Sequence, residues 1–139
     1  MIRIITDSAA DLTAQEMAQP GVSVVPMSIT FEDGTSVEDD GSMTKDEFFK
    51  RLATDSKLPR TSQPSPAAFM EAFADAEVAG DEVIVITVGQ KLSGTYQCAV
   101  MAAHDVDVPV YVVDSETATQ GEAVLLREAL RLRDMGLSA

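Results

Sequence analysis

Residues 82–88, Glu-Val-Ile-Val-Ile-Thr-Val, are the clearest β-strand pattern in this chain of 139 residues. The apolar residues follow one another without alternation, which indicates a strand that is covered on both faces. Two shorter stretches, Ile2 to Thr6 and Val110 to Val113, have the same character. Segments with helical spacing of apolar residues separate the three strands. This alternation predicts an α/β domain of three layers, in which a mostly parallel sheet lies between two layers of helices.

Capping residues mark where helices are expected to begin. Thr13 and Thr44 each precede a glutamate by three positions, which is the spacing of a capping box. The helix after Thr13 is expected to reach Gln19. Ser65-Pro66 places an N-cap residue before a favoured first helical residue, and Gly80 is expected to end that helix.

Apolar spacing predicts which side of two helices points inward. In the helix after Ser65, the expected inward residues are Phe69, Met70 and Phe73. In the last helix, predicted from Gly121 to Met135, the residues in register are Val124, Leu125, Glu128 and Leu132.

The segment between the first two helices is β-rich but broken. Val22 to Phe31 has strand character and is interrupted at Pro26. Asp33-Gly34 is a turn signal, which predicts a hairpin leading into Thr35 to Val37. Leu58 to Pro64 lacks apolar alternation and is predicted to be a loop.

Composition excludes several classes of function. The chain carries 10 basic and 23 acidic residues, a net charge of −13, which disfavours binding to nucleic acids or anionic membranes. Its single cysteine, Cys98, cannot form an intrachain disulfide and fits a reducing compartment. No apolar run is long enough for a membrane span and no signal-peptide pattern opens the chain, so a cytoplasmic protein is expected.

Two hydroxyl-rich loops are the strongest candidates for a binding site. They are residues 61–66, Thr-Ser-Gln-Pro-Ser-Pro, and residues 91–96, Lys-Leu-Ser-Gly-Thr-Tyr. Each is expected just before a helix, where unpaired N–H groups and the helix dipole favour an oxyanion such as carboxylate or phosphate. Helix capping by Ser65 and Ser93 is the competing explanation, although it leaves the other hydroxyls unexplained.

The remaining polar residues give weaker indications. Asp7-Ser8 and Asp114-Ser115 each follow a predicted strand, where they would either cap local turns or organise the floor of a ligand crevice. Residues 38–40, Glu-Asp-Asp, lack the alternating ligands of a calcium loop and are interpreted as a solvated turn. His104, the only histidine, is expected at a helix end without a catalytic role. No nucleotide-binding or zinc motif is present, so no cofactor or metal is predicted.

The order of four sequence blocks closely resembles the DegV family. The blocks are Ile5–Leu12 (ITDSAADL), Thr61–Ser65 (TSQPS), Leu92–Gln97 (LSGTYQ) and Val113–Ser115 (VDS). The resemblance covers nearly the whole chain. The resemblance departs at Gly89-Gln90, where the family usually has two serines, and at Ala123, where it usually has a glycine.

The resemblance implies a bacterial carrier that binds a long-chain fatty acid and catalyses no reaction itself. Such proteins serve as the binding subunit of a fatty acid kinase, and they present the acyl carboxylate to a separate kinase subunit that makes acyl phosphate for phospholipid synthesis. Thr61 and Ser93 match the family's contacts to the carboxylate. The supporting residues are expected to be Ser62, Gly94, Thr95, Asp7, Ser8, Asp114 and Ser115.

The resemblance also bears on domain organisation. Residues 1–139 correspond to the N-terminal α/β domain of the family, and its C-terminal domain, which covers the ligand, is expected to be absent. The alternative function is therefore a truncated interaction or regulatory module that self-associates through an exposed apolar crevice and binds no lipid tightly. An enzyme acting on a phosphate ester is a weaker alternative, because no general base or metal set is visible.

Overall fold

The structure is a computed structural model that describes residues 1–139. The strands are β1 (Ile2–Asp7), β2 (Val22–Val25), β3 (Ser28–Thr30), β4 (Ser36–Glu38), β5 (Arg60–Ser62), β6 (Glu82–Thr87) and β7 (Val110–Asp114). The helices are α1 (Ala14–Met17), α2 (Lys45–Thr54), α3 (Pro66–Ala79), α4 (Thr95–Ala103) and α5 (Gln120–Asp134), with a 3-10 turn at Ser8–Ala10. None of these helices combines the length and apolar character needed to cross a lipid bilayer.

Four strands form the predicted parallel sheet, in the order β2-β1-β6-β7. Helices α3 and α4 cover one face, where the buried side chains include Ile5, Phe69, Phe73, Val83, Val85, Cys98 and Ala99. Helix α5 covers the other face, where the buried side chains are Ile4, Ile86, Leu126 and Leu130. Because β6 supplies residues to both clusters, its unbroken apolar run is explained, and the prediction of a three-layer α/β domain is confirmed.

A second, antiparallel sheet of three strands, in the order β4-β3-β5, was not predicted. The β-rich stretch divides at Pro26: β2 ends at Val25 in the parallel sheet, and β3 begins at Ser28 in the small sheet. Proline has no N–H to donate to a strand ladder, which explains the break. The predicted hairpin forms, with β3 pairing with β4.

The prediction of a loop from Leu58 to Pro64 is wrong for β5, which lies within it. Strand β5 pairs with β3, so that Thr61 lies opposite Ile29. Its three residues are polar and exposed, so no apolar periodicity reveals the strand. Pairing with β3, a tertiary contact, makes it extended.

The predicted inward side of α5 is also wrong. The buried residues are Glu122, Ala123, Leu126 and Leu130, whereas Val124 is 56% exposed. A glutamate at the start of the buried face conceals that face in the sequence. In α3, Phe69 and Phe73 are buried as predicted, but Met70 is 38% exposed.

Most of the predicted helix starts are correct. Thr13 and Thr44 form complete capping boxes, although α1 ends at Met17 rather than at Gln19. Ser65 caps α3, which ends at Gly80 in the left-handed conformation. Ser93 is not the N-cap of α4; that position is held by Gly94, which has no side chain to cap with.

Candidate functional site

The carboxyl ends of three neighbouring strands meet at one edge of the parallel sheet. Thr6 near the end of β1 is aligned with Ile86 of β6, and Thr87 at the end of β6 is aligned with Asp114 of β7. The loops that leave these ends therefore lie side by side. In open α/β sheets, ligand crevices form at this edge.

Asp7 fastens the end of β1 to the end of β6. Its Oδ1 accepts the N–H of Ala9 at 2.9 Å, and its Oδ2 accepts the N–H of Val88 at 2.8 Å. Burial raises the pKa of the Asp7 carboxyl above its ordinary value, although the two N–H donors oppose this shift. Asp7 thus caps a local turn and connects the ends of β1 and β6.

Asp114 fastens the loop after β6 to the loop after β7. Its Oδ1 accepts the backbone N–H groups of Gln90 and Glu116, each at 3.0 Å. These donors lower the pKa of Asp114, the N–H of Glu116 being the larger cause. The carboxylate is therefore used to order the two loops.

The hydroxyls of Ser8 and Ser115 also form hydrogen bonds with the backbone of neighbouring loops. Ser8 Oγ accepts the N–H of Met27 at 3.1 Å, which connects the first strand to the start of the small sheet. Ser115 Oγ donates to the carbonyl of Thr117 at 3.2 Å and accepts its N–H at 3.3 Å. Both residues lie at the predicted edge of the parallel sheet, where their hydrogen bonds hold the backbone of the loops.

Ser93 and Thr95 form a tight pair at the start of α4. Their hydroxyl oxygens are 2.9 Å apart, and Ser93 Oγ accepts the N–H of Thr95 at 3.3 Å. Thr95 is fully buried, whereas Ser93 is only half-buried. The side chain of Thr95 therefore fixes the Ser93 hydroxyl near the surface.

The N–H of Gly94, one of the expected supporting residues, is already occupied. It donates to Gln63 Oε1 at 3.1 Å. The N–H groups of Tyr96 and Gln97, two and three residues further along, have no acceptor within the chain. The free donors of this helix start thus lie beyond Gly94.

Thr61 and Ser62 lie on β5 and not at a helix N-terminus, which corrects the expectation that both hydroxyl-rich loops directly precede helices. Both residues are exposed. Successive strand residues point to opposite faces of a sheet, so Thr61 and Ser62 face opposite ways. Thr61 lines a groove between the small sheet and α2, together with its cross-strand partner Ile29.

This groove, the α2 groove, has a volume of about 350 Å³. Its apolar lining residues are Ile29, Met43, Phe48 and Phe49, and its polar ones are Asp11, Glu38, Asp39, Thr44, Lys45 and Thr61. A second groove of about 370 Å³ shares Asp11, Asp39, Met43 and Lys45 and continues towards Leu12 and Pro26. The apolar lining was missed from the sequence because the small sheet that supplies Ile29 was not foreseen.

Helix α2 is held through contacts of Lys45, Phe48 and Arg51: Lys45 pairs with Asp11 at 3.2 Å, and the ring of Phe48 lies 6.3 Å from that of Phe31. The guanidinium of Arg51 lies 3.9 Å from the ring centre of Phe31 and 2.6 Å from the Asp33 carboxylate. No residue of α2 is buried. The wall of the α2 groove therefore depends on a few surface contacts.

The structure contains no cluster of three or more His, Cys, Asp and Glu residues that could hold a metal ion. Glu38 ends β4, and Asp39 and Asp40 are exposed. Asp40 Oδ1 accepts the N–H of Ser42 at 2.8 Å, which confirms a solvated turn. His104 is an exposed residue at the C-terminal end of α4.

Gly89 is pressed against the loop after β7. Its N–H donates to the carbonyl of Thr117 at 2.7 Å, and a Cβ at this position would lie 3.1 Å from Glu116 C and Thr117 N. Because these are backbone atoms, we expect Gly89→Ala to lower the free energy of unfolding by about 1–2 kcal/mol. Urea unfolding measures this change. Gln90→Ala, at the exposed next position, should change stability by less than about 0.5 kcal/mol, and equal stability of the two variants would contradict the prediction.

A family model, described as an uncharacterised protein of the DegV family, matches residues 1–139. A DegV domain-containing protein from Caldanaerobacter subterraneus is 41% identical over 138 residues, which cover 99% of this chain and 49% of the relative. The chain thus spans about half the length of the curated relatives that it matches.

Solved structures share the fold over the whole chain. A DegV family protein from Thermus thermophilus, described for its fatty acid binding, matches with a TM-score of 0.89 and 34% identity, over 99% of this chain and 49% of that one. The fatty acid kinase B3 protein of Streptococcus pneumoniae, loaded with linoleic acid, matches with a TM-score of 0.87 and 25% identity, over 99% of this chain and 50% of that one.

Proposed function

The chain belongs to the DegV family, and from that premise we propose that it binds a long-chain fatty acid by holding the carboxylate between Thr61 and Ser93. The observation that carries the proposal is the surroundings of Thr61. Thr61 lines the α2 groove together with the apolar residues Ile29, Phe48 and Phe49. A polar donor next to an apolar groove suits a ligand with one polar end and a long apolar tail.

The hydrogen-bond chemistry of Ser93 supports a carboxylate. Ser93 Oγ already accepts the N–H of Thr95. When the Thr95 hydroxyl donates to it as well, both acceptor sites of Ser93 are filled and its own hydrogen is left to donate. An ionised carboxylate accepts hydrogen bonds only, so it matches such a donor.

The charges around the α2 groove orient the ligand. Asp11, Glu38 and Asp39 also line the groove, and Lys45 of the same lining pairs with Asp11 at 3.2 Å. The three carboxylates repel a carboxylate head group. The neutral hydroxyls of Thr61 and Ser93 do not repel a carboxylate. The head of the fatty acid therefore lies at the hydroxyls, and the tail runs along Ile29 and Phe48.

The remaining site residues support this arrangement without touching the head group. Thr95 orients Ser93, while Asp7, Ser8, Asp114 and Ser115 hold the neighbouring loops through the backbone contacts described above. Gly94 has no side chain and so leaves space for the amide of Gln63. Ser62 lies on the face of β5 opposite to Thr61. We assign residues 1–139 to the N-terminal α/β domain of a non-catalytic binding subunit, which presents the acyl carboxylate to a separate fatty acid kinase subunit. The likeness to the kinase B3 protein supports this assignment.

One observation favours the second candidate function, a self-associating module. Strand β7 lies at the edge of the parallel sheet and exposes Tyr111 by 46% and Val113 by 42%. An exposed apolar edge strand can pair with another copy.

Native mass spectrometry and light scattering separate the two functions. After gentle purification, the protein is expected to be a monomer that carries one fatty acid or takes up one equivalent of added oleate. A lipid-free dimer that takes up no oleate would overturn the carrier function and support the module.

A further inference from the structure

Gln63 joins the segment that carries Thr61 to the helix that follows Ser93. Its Oε1 accepts the N–H of Gly94 at 3.1 Å, and its Nε2 donates to Cys98 Sγ at 3.3 Å. Gly94 and Cys98 are one turn apart at the start of α4. A single side-chain amide thus holds the first turn of α4 against the end of β5.

The fit between this amide and α4 is close. A Cβ on Gly94 would overlap Gln63 Oε1 and lie 2.7 Å from Nε2 and 2.8 Å from Cδ. Gly94 has an ordinary negative φ of −77°, so backbone conformation does not require glycine there. A side chain there would instead displace the amide of Gln63, which is the end of a flexible side chain.

The contacts on either side of Gln63 reach the two hydroxyls. Thr61 lies two residues before it, fixed to β3 by strand pairing. Ser93 precedes Gly94 and is fixed by the buried Thr95. The hydrogen bonds that connect these two segments directly are those of the Gln63 amide.

We propose that Gln63 is a positioning residue that sets the distance between the Thr61 and Ser93 hydroxyls, so that one carboxylate can bind both. This inference rests on the proposed fatty acid binding. Gln63 acts through Gly94 and Cys98 and not on the ligand. Its effect is therefore confined to the carboxylate and does not extend to the acyl tail.

The test compares the binding of two ligands with the same tail, oleate and oleyl alcohol, to the chain of residues 1–139. Gln63→Met keeps the length of the side chain but loses both hydrogen bonds. We expect it to weaken oleate binding roughly tenfold, which is the usual worth of one hydrogen bond to a charged group, and to leave oleyl alcohol binding unchanged. Gln15→Met, at an exposed position of α1, is the matched control and should change neither affinity.

Gly94→Ala provides an independent route to the same loss, because its methyl group displaces the amide. The double variant Gln63→Met/Gly94→Ala should bind oleate no more weakly than either single variant, since residues that act as a unit are not additive. Unchanged oleate affinity in both single variants, or an equal loss of oleate and oleyl alcohol, would overturn the positioning role. Failure of the unaltered protein to bind oleate would instead overturn the proposed function and this inference with it.

Discussion

Replacement of Thr61 by valine together with Ser93 by alanine is expected to weaken fatty acid binding by roughly 100-fold. Each substitution removes one hydroxyl donor, and a hydrogen bond to a charged group contributes about 1.5–3 kcal/mol, or about tenfold or more in affinity. Valine keeps the shape of threonine, so the α2 groove beside Ile29 and Phe48 is preserved. Titration calorimetry with oleate measures the change.

The control for these substitutions lies in the same small sheet. Thr30 is on β3 and bonds to Ser36 Oγ at 3.2 Å in an exposed position, and it points away from the face that carries Ile29. Thr30→Val should leave oleate affinity within about twofold, because no hydrogen bond to the ligand is removed. Thermal unfolding must accompany the measurement, since Ser93→Ala also deprives the buried Thr95 of its partner. A double variant that folds and binds oleate like the unaltered protein would exclude Thr61 and Ser93 as the carboxylate site.

Replacement of Glu122 by glutamine is expected to change the pH dependence of stability. Glu122 is fully buried on α5, where Thr6 Oγ1 donates to its Oε1 at 2.8 Å while Oε2 has no partner. Burial, and secondarily the charge of Asp7, raises the pKa of Glu122 from 4.5 to about 8. The carboxyl is therefore protonated in the folded protein at neutral pH.

The sign of the effect follows from proton binding. Between pH 4.5 and 8, the folded protein keeps a proton on Glu122 that the unfolded chain has released. Raising the pH through this window favours the unfolded chain, so stability falls by up to about 1.4 kcal/mol per pH unit from this group. Above the folded pKa the loss levels off.

Glutamine has no proton to lose, so Glu122→Gln should remove this part of the pH dependence. Its amide can still accept from Thr6, but its N–H groups take the place of the unpartnered Oε2 at a cost of about 1–3 kcal/mol. We expect the variant to be less stable than the unaltered protein at pH 5 and more stable at pH 8, by about 2 kcal/mol. Urea unfolding at both pH values tests this. Glu71→Gln, at an exposed position of α3, should show no such reversal, and parallel pH profiles for the unaltered protein and Glu122→Gln would contradict the raised pKa.

Glu122 also explains why the inward face of α5 was predicted wrongly from the sequence. The sequence pattern favours Val124 and Leu125 because apolar residues are expected to point inward. The structure instead buries a glutamate, which is tolerated because burial keeps it protonated and Thr6 bonds to it. Periodicity cannot anticipate this, since the neutral state of the carboxyl arises only in the folded protein.

The small sheet shows a different limit. The hairpin of β3 and β4 was predicted from Asp33-Gly34, because a turn signal is local. Strand β5 was not predicted, because its extended form depends on pairing with β3, about thirty residues away along the chain. The α2 groove depends on both, so its apolar lining could not be foreseen.

The layers of the fold, the helix starts at Thr13, Thr44 and Ser65, and membership of the DegV family could all be predicted from the sequence. These features depend on local patterns. The patterns are the unbroken apolar run at residues 82–88, the capping side chains, and four short motifs in a fixed order along the chain. The availability of donors at the site depends instead on tertiary contacts, because Gln63 accepts the N–H of Gly94 and Thr61 lines a groove. Hydrogen-bond partners and grooves arise between segments that are distant in sequence, and those partners form only when the chain is folded.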